Sequence, residues 1–191
     1  MNQFSNEQTD YLENTTNCQL YNLSNHTCTT NQMQVPNVPP FFKHVALAHF
    51  NVRDLSANTR FQDLKNDVGS FPFQLDFIGI SESWCSPYTE GLFEIPDYQR
   101  LSLSRRFSRG GGVILYVNKW CHIKKQHMYA NESATIQVIA WQARLPMIDK
   151  DVVVMTLYNS DGNLSNLKEA LDDCLCAFPR HLFVSLRCWR F

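Results

Sequence analysis

The sequence predicts a mixed α/β protein whose strands crowd its middle, and three observations carry that expectation. Residues 75–81 (LDFIGIS) form a continuous apolar run, the pattern of a strand covered on both faces. Another apolar segment, residues 45–52 (VALAHFNV), starts about thirty residues earlier with a helical pattern between the two, the layout of a crossover unit. From residue 98 onward, short strand-like segments follow one another at turn signals. This order excludes an all-helical and an all-β architecture.

Between the first two strands, Phe61, Leu64 and Val68 recur on one face of a helix over 56–69, with Ser56 or Asn58 as cap and Gly69 as terminator. Residues 98–104 alternate and place Leu101 and Leu103 on one side. Residues 112–118 (GVILYVN) make a further strand, joined to the preceding one by an Arg- and Gly-rich turn. The stretch holding His122 and His127 reads as a linker. Residues 133–144 and 151–158 (DVVVMTLY) form a hairpin around 145–150. A second helix over 164–178 puts Leu167, Leu171, Cys174 and Phe178 on one face, and residues 181–186 begin a last strand. No internal repeat is visible.

A chain of 191 residues with 44% hydrophobic and 18% charged residues has room for one domain with a sizeable core. The formal net charge of -1 conceals a division. Residues 1–40 contain no Lys or Arg, and their acidic residues are Glu7, Asp10 and Glu13, so every basic residue lies in 41–191. Asn, Gln, Ser and Thr make up 21 of those first forty, too polar a segment to offset its chain entropy by burial. The expected organisation is a disordered polar leader over 1–40 and a folded part over 41–191.

The first residues are polar with no apolar core of a signal peptide, and no apolar run approaches the length of a membrane span. Seven cysteines, an odd number at irregular spacing, favour reduced thiols and an intracellular setting, nucleus or cytoplasm. A zinc site built on Cys18, His26 and Cys28, or on Cys174 and Cys176, lacks the paired C-x2-C spacing. Inert thiols are the expectation.

Chemistry is expected where strands end. The first strand runs into Asn51 and the 75–81 strand into Ser81-Glu82-Ser83-Trp84. In sheets with crossover connections, ligand sites gather beyond the carboxyl ends of strands. An amide and a carboxylate there offer hard oxygens, suited to Mg²⁺. Arg105, Arg106 and Arg109 flank Gly110–Gly112, and a loop with three guanidinium groups can grip DNA phosphates. The plain alternative is a solvated turn whose glycines supply positive φ angles. His44, His49, His122 and His127 have no acidic partner at a diagnostic spacing, and a structural or solvent-facing role is expected for each.

Five segments occur in order: HFNVR at 49–53, DFIGISESW at 76–84, IPDY at 95–98, RGGGVILYV at 109–117 and TLY at 156–158. Together they resemble the endonuclease/exonuclease/phosphatase family, in particular the endonuclease domain of non-LTR (LINE-type) retrotransposons, over residues 43–186. The family is similar to apurinic endonucleases and DNase I. The resemblance implies a two-sheet α/β sandwich of the DNase I-like type, its N-terminal portion only, that hydrolyses phosphodiesters with Mg²⁺. By position it gives Glu82 the metal, Asn51 the metal and phosphate, and Tyr158 the scissile phosphate. Asn159-Ser160-Asp161 replaces the family's Arg-Pro-Pro after that Tyr.

Two further family motifs, Gly-Asp-x-Asn and a terminal Ser-Asp-His, are absent from these 191 residues. The strand at 181–184 fits the one that precedes Gly-Asp-x-Asn, whereas residues 185–191 (SLRCWRF) do not continue it. Read one nucleotide later, Trp189 followed by an Arg codon spells Gly, and that frame can give Val-Gly-Asp-Phe. The expectation is therefore a frameshifted or mis-spliced retroelement remnant, an incomplete Mg²⁺-dependent endonuclease-like domain without activity. Two alternatives accompany it: a non-enzymatic nucleic-acid or protein-binding fragment, and another phosphodiesterase or phosphatase of the family. DNA is the expected partner, with no membrane and no small-molecule cofactor.

Overall fold

The computed structural model describes residues 19–21, 45–57, 59–104, 110–131, 135–145, 150–179 and 181–187. The strands are β1 (Gln19–Tyr21), β2 (Leu47–Asn51), β3 (Phe77–Ser81), β4 (Tyr98–Leu103), β5 (Val113–Asn118), β6 (His122–Ala130), β7 (Ile136–Leu145), β8 (Lys150–Asn159) and β9 (Leu182–Arg187). Helix α1 (Arg60–Ser70) joins β2 to β3, and α2 (Leu164–Ala177) joins β8 to β9. Among the described residues one sheet has the order β1-β2-β3-β5-β4 and the other β6-β7-β8-β9. Both helices span parallel crossovers, β2 to β3 and β8 to β9, while the β4–β5 and β6–β7–β8 pairs are antiparallel.

Strand alternation sorts the side chains into three apolar layers. Leu47, Phe77, Val113, Leu115 and Val117 face Ile139, Trp141, Val152 and Val154 between the sheets. Phe50, Ile78, Ile80, Ile114 and Tyr116 lie on the outer side of the first sheet beneath Phe61, Leu64 and Val68 of α1. Val138, Ala140, Val153 and Met155 lie on the outer side of the second beneath Leu167, Ala170 and Cys174 of α2. The continuous apolar runs in the sequence are explained, because β3 and β5 are buried on both faces.

Four expectations change in detail. Residues 19–21 of the expected leader pair in parallel with β2 at Ala48–Phe50, where a backbone edge would otherwise be open; the rest of 1–44 lies outside the described residues. Helix α1 begins at Arg60, because Asp54 takes Ser56 into a side-chain turn and Thr59 becomes the residue before the helix. Gly69 lies inside the last helical turn, and Phe71 in extended conformation ends α1. His122 and His127 lie on β6 rather than in a linker. Lys124, Lys125 and Gln126 are exposed on this edge strand, so its charge hid the period that pairing with β7 reveals.

Among the described residues no helix is long and apolar enough to cross a membrane. Cys85, Cys121 and Cys174 are buried, and burial pushes their thiols up to about 11, 12 and 11, while Cys176 is exposed. Cys174 and Cys176 therefore do not converge on one metal.

His49 is buried between the sheets, and desolvation pushes its imidazole down from 6.5 to about 4. The unfolded chain binds a proton there below pH 6.5 and the folded chain only near pH 4, so stability is lost as pH falls through that window. Urea unfolding between pH 7.5 and pH 4.5 should show a pH-dependent loss that His49→Leu reduces by up to about 3 kcal/mol. An unchanged slope in the variant contradicts the buried neutral imidazole.

Candidate functional site

The parallel pairing of β2 and β3 ends in register at Asn51 and Ser81, and Glu82 follows at once. Backbone bonds continue past the strands: Val52 N donates to Ser81 O (3.2 Å), Asp54 N to Glu82 O (2.9 Å) and Leu55 N to Ser83 O (2.9 Å). The two loops are thereby fixed side by side. Asn51 Nδ2 donates to Glu82 Oε1 at 3.2 Å within a buried environment. A carboxylate only accepts, so the amide nitrogen must face it and Asn51 orients Glu82.

Glu82 and Trp84 have φ of 55° and 51°, the left-handed region that side chains with a Cβ disfavour. Two such residues around a buried carboxylate make this a strained turn, and strain of this kind gathers at functional sites. The turn is held from the other side by the glycines. Ser83 N donates to Gly112 O (3.1 Å) and Trp84 N to Gly111 O (2.9 Å). Gly110, Gly111 and Gly112 all have positive φ, as the sequence suggested. Gly112 carries a second constraint, since a Cβ there would lie 2.4 Å from Ser83 Oγ.

Tyr158, at 8% exposure, lies on the inter-sheet face of β8. Its register partner on β7 is Gln137. Gln137 Oε1 accepts from Gly112 N at 2.7 Å, and Gly112 O holds Ser83. Tyr158 is thus tied to the Glu82 end of the sandwich through one strand pair and two hydrogen bonds. Asn51, Glu82 and Tyr158 come to the same end. Beneath them, His49, Ser81 and Thr156 continue the inward phase as a buried polar strip, with His49 Nε2, Ser81 Oγ and Thr156 Oγ1 unpartnered among the described residues.

Arg105, Arg106 and Arg109 lie outside the described residues, but both ends of their loop are anchored. Ser104 Oγ donates to Glu90 Oε2 (2.8 Å), as does Ser102 Oγ (2.9 Å). Gln137 Nε2 reaches Leu103 O (3.3 Å) while its Oε1 holds Gly112. Sequence reasoning missed Gln137. The available signal was its phase, a polar residue at an inward position of β7 in line with Ile139 and Trp141.

Among the described residues no group of three or more His, Cys, Asp or Glu is arranged to hold a metal. Mg²⁺ needs less, since it commonly keeps several waters and attaches through one or two carboxylates together with substrate phosphates. Glu82 fits that limited donor set as a buried, oriented carboxylate of hard oxygens.

A two-sheet α/β sandwich with a helix on each outer face and polar residues at the ends of β2, β3 and β8 is the DNase I-like fold. Among solved structures, an endonuclease/exonuclease/phosphatase family protein from Bacteroides thetaiotaomicron matches with TM-score 0.58 and 11% identity, over 75% of this chain and 62% of that one. A mannosyl-6-phosphatase of the same organism matches with TM-score 0.56 and 10% identity, over 75% and 64%. D. rerio TDP2, solved with a single-strand DNA product, matches with TM-score 0.52 and 12% identity, over 75% and 58%. The chain thus spans less than two thirds of the length of each of these three. No family model and no curated protein matches the sequence.

Gly112→Ala should destabilise the fold by about 2 kcal/mol in urea unfolding, from positive φ and overlap with Ser83 Oγ together. Gly91→Ala, with open space around it, should stay within about 0.5 kcal/mol of the parent. Ser83→Ala added to Gly112→Ala should recover part of the loss. Equal effects at the two glycines contradict the close approach.

Proposed function

We propose that this chain carries the metal-holding part of a phosphodiester-cleaving site of the endonuclease/exonuclease/phosphatase type, derived from a LINE-type retrotransposon endonuclease, and that these 191 residues bind Mg²⁺ and DNA without hydrolysing it. The observation that carries the reading is the Asn51–Glu82 pair, buried and oriented at the ends of two parallel strands. Glu82 is the metal ligand, with Asn51 holding its carboxylate in one orientation. The bound cation supplies positive charge where a phosphate oxygen gains negative charge. Tyr158 offers a hydroxyl to the phosphate, and Arg105, Arg106 and Arg109 offer guanidinium groups to flanking phosphates.

Several features support DNA as the ligand: three arginines in the sequence between Ser104 and Gly112, the ordered series of family segments, and a similar fold in a protein solved with single-strand DNA. Hydrolysis needs more than this set. The residues that orient the attacking water in the family sit in Gly-Asp-x-Asn and Ser-Asp-His, and neither motif occurs in the sequence. Groups that act together are strongly non-additive, so the remaining ones give little rate enhancement.

Supercoiled plasmid incubated with Mg²⁺ should show no nicking above that of Glu82→Ala. Mn²⁺ binding, followed by loss of the free-ion paramagnetic resonance signal, should weaken at least about tenfold in Glu82→Ala. Glu82-dependent nicking contradicts the inactive assignment. Equal Mn²⁺ binding by both proteins contradicts the metal site itself.

A further inference from the structure

We infer that Gln137 is a positioning residue, whose side-chain amide locks the Gly111–Gly112 turn and through it sets the orientation of Glu82. The inference deepens the proposed metal site and rests on Glu82 being its ligand. Gln137 is 1% exposed, and both ends of its amide are used. Oε1 accepts from Gly112 N at 2.7 Å and Nε2 donates to Leu103 O at 3.3 Å. One side chain thus ties the end of β4 at Leu103 to Gly112 at the start of β5. A buried amide with both functions satisfied sits in one orientation, because any rotation leaves a polar group unpaired.

The consequence for Glu82 follows along the backbone. Gly112 O accepts from Ser83 N and Gly111 O from Trp84 N, the two amides that flank the Cα of Ser83. Glu82 and Trp84 are both left-handed, a pair of conformations that relaxes unless the surroundings over-determine it. The bonds from Asp54 N and Leu55 N hold the carbonyl side of this turn. The glycine carbonyls hold the amide side, and Gln137 holds the peptide that joins Gly111 to Gly112. Because Gln137 also faces Tyr158 across the β7–β8 ladder, the same side chain fixes how the second sheet meets the Glu82 turn. An apolar residue at this inward position would extend the core but leave the turn without its support.

Amide hydrogen exchange separates a local clamp from general stabilisation. In Gln137→Asn, which keeps the polarity but is one methylene too short to span both partners, the Ser83 and Trp84 amides should exchange about tenfold faster or more. The ladder amides of β2 and β3 and the helical amides of α2 should keep their protection. Gln137→Glu retains the acceptor for Gly112 N but loses the donor to Leu103 O and buries a carboxyl, so it should restore only part of the protection at Ser83 and Trp84. Mn²⁺ binding should weaken about tenfold in Gln137→Asn and recover in part in Gln137→Glu. Unchanged exchange at Ser83 and Trp84, or acceleration in step with every core amide, overturns the inference. Wild type and Glu82→Ala binding Mn²⁺ alike refutes the proposed metal site instead, and the exchange pattern still decides the role of Gln137.

Discussion

The parallel pairing of β2 with β3 continues beyond the strands, and the site depends on that continuation. Three backbone hydrogen bonds from residues 52, 54 and 55 to residues 81, 82 and 83 keep the two loops together after the regular ladder has ended. Without them Asn51 would still end β2, but Glu82 would leave the sheet edge as most residues do after a buried strand. With them the carboxylate stays within 3.2 Å of the Asn51 amide and out of water. Burying a carboxylate is costly unless donors compensate, so the loop zipper and the amide are one device.

That device is strained, and the rest of the sandwich offsets the strain. Left-handed backbone at residues with a Cβ costs about 1–2 kcal/mol each. Glu82 and Trp84 both carry it, as do Arg53 and Asp54 in the facing loop. The offset comes from two sheets whose inner and outer faces are filled, with Phe50, Phe77, Leu64, Ile78, Ile80 and Tyr116 all fully buried. Each large apolar side chain so placed contributes roughly 1.5–3 kcal/mol relative to exposure. A buried polar strip of His49, Ser81 and Thr156 interrupts the inner layer beneath Asn51 and Glu82.

Most of this was legible in the residues because burial on both faces writes itself as uninterrupted apolar sequence. LDFIGIS and GVILYV announced β3 and β5, and the helix between β2 and β3 announced a parallel pair. The rule that sites gather at carboxyl ends of strands singled out Asn51 and Glu82, and the structure brings the two within 3.2 Å. β6 was not legible, since an edge strand with Lys124, Lys125 and Gln126 exposed in succession breaks the apolar alternation that marks a strand. Helix α1 starts late for a similar reason: Ser56 has the composition of a cap, but Asp54 engages it first. The roles of Gln137 and of the Gly112–Ser83 approach depend on contacts between distant segments, and only the inward phase of Gln137 hinted at them.

The central claim is that Asn51 and Glu82 act as one unit in holding a divalent cation, and a double-mutant cycle on Mn²⁺ affinity tests it most directly. Asn51→Ala, Glu82→Ala and the double variant are titrated beside the parent protein. A shared unit predicts that Glu82→Ala removes nearly all of the effect and that adding Asn51→Ala changes little more, a coupling of about 1 kcal/mol or above. Additive losses, or an Asn51→Ala variant that binds like the parent, would contradict the account.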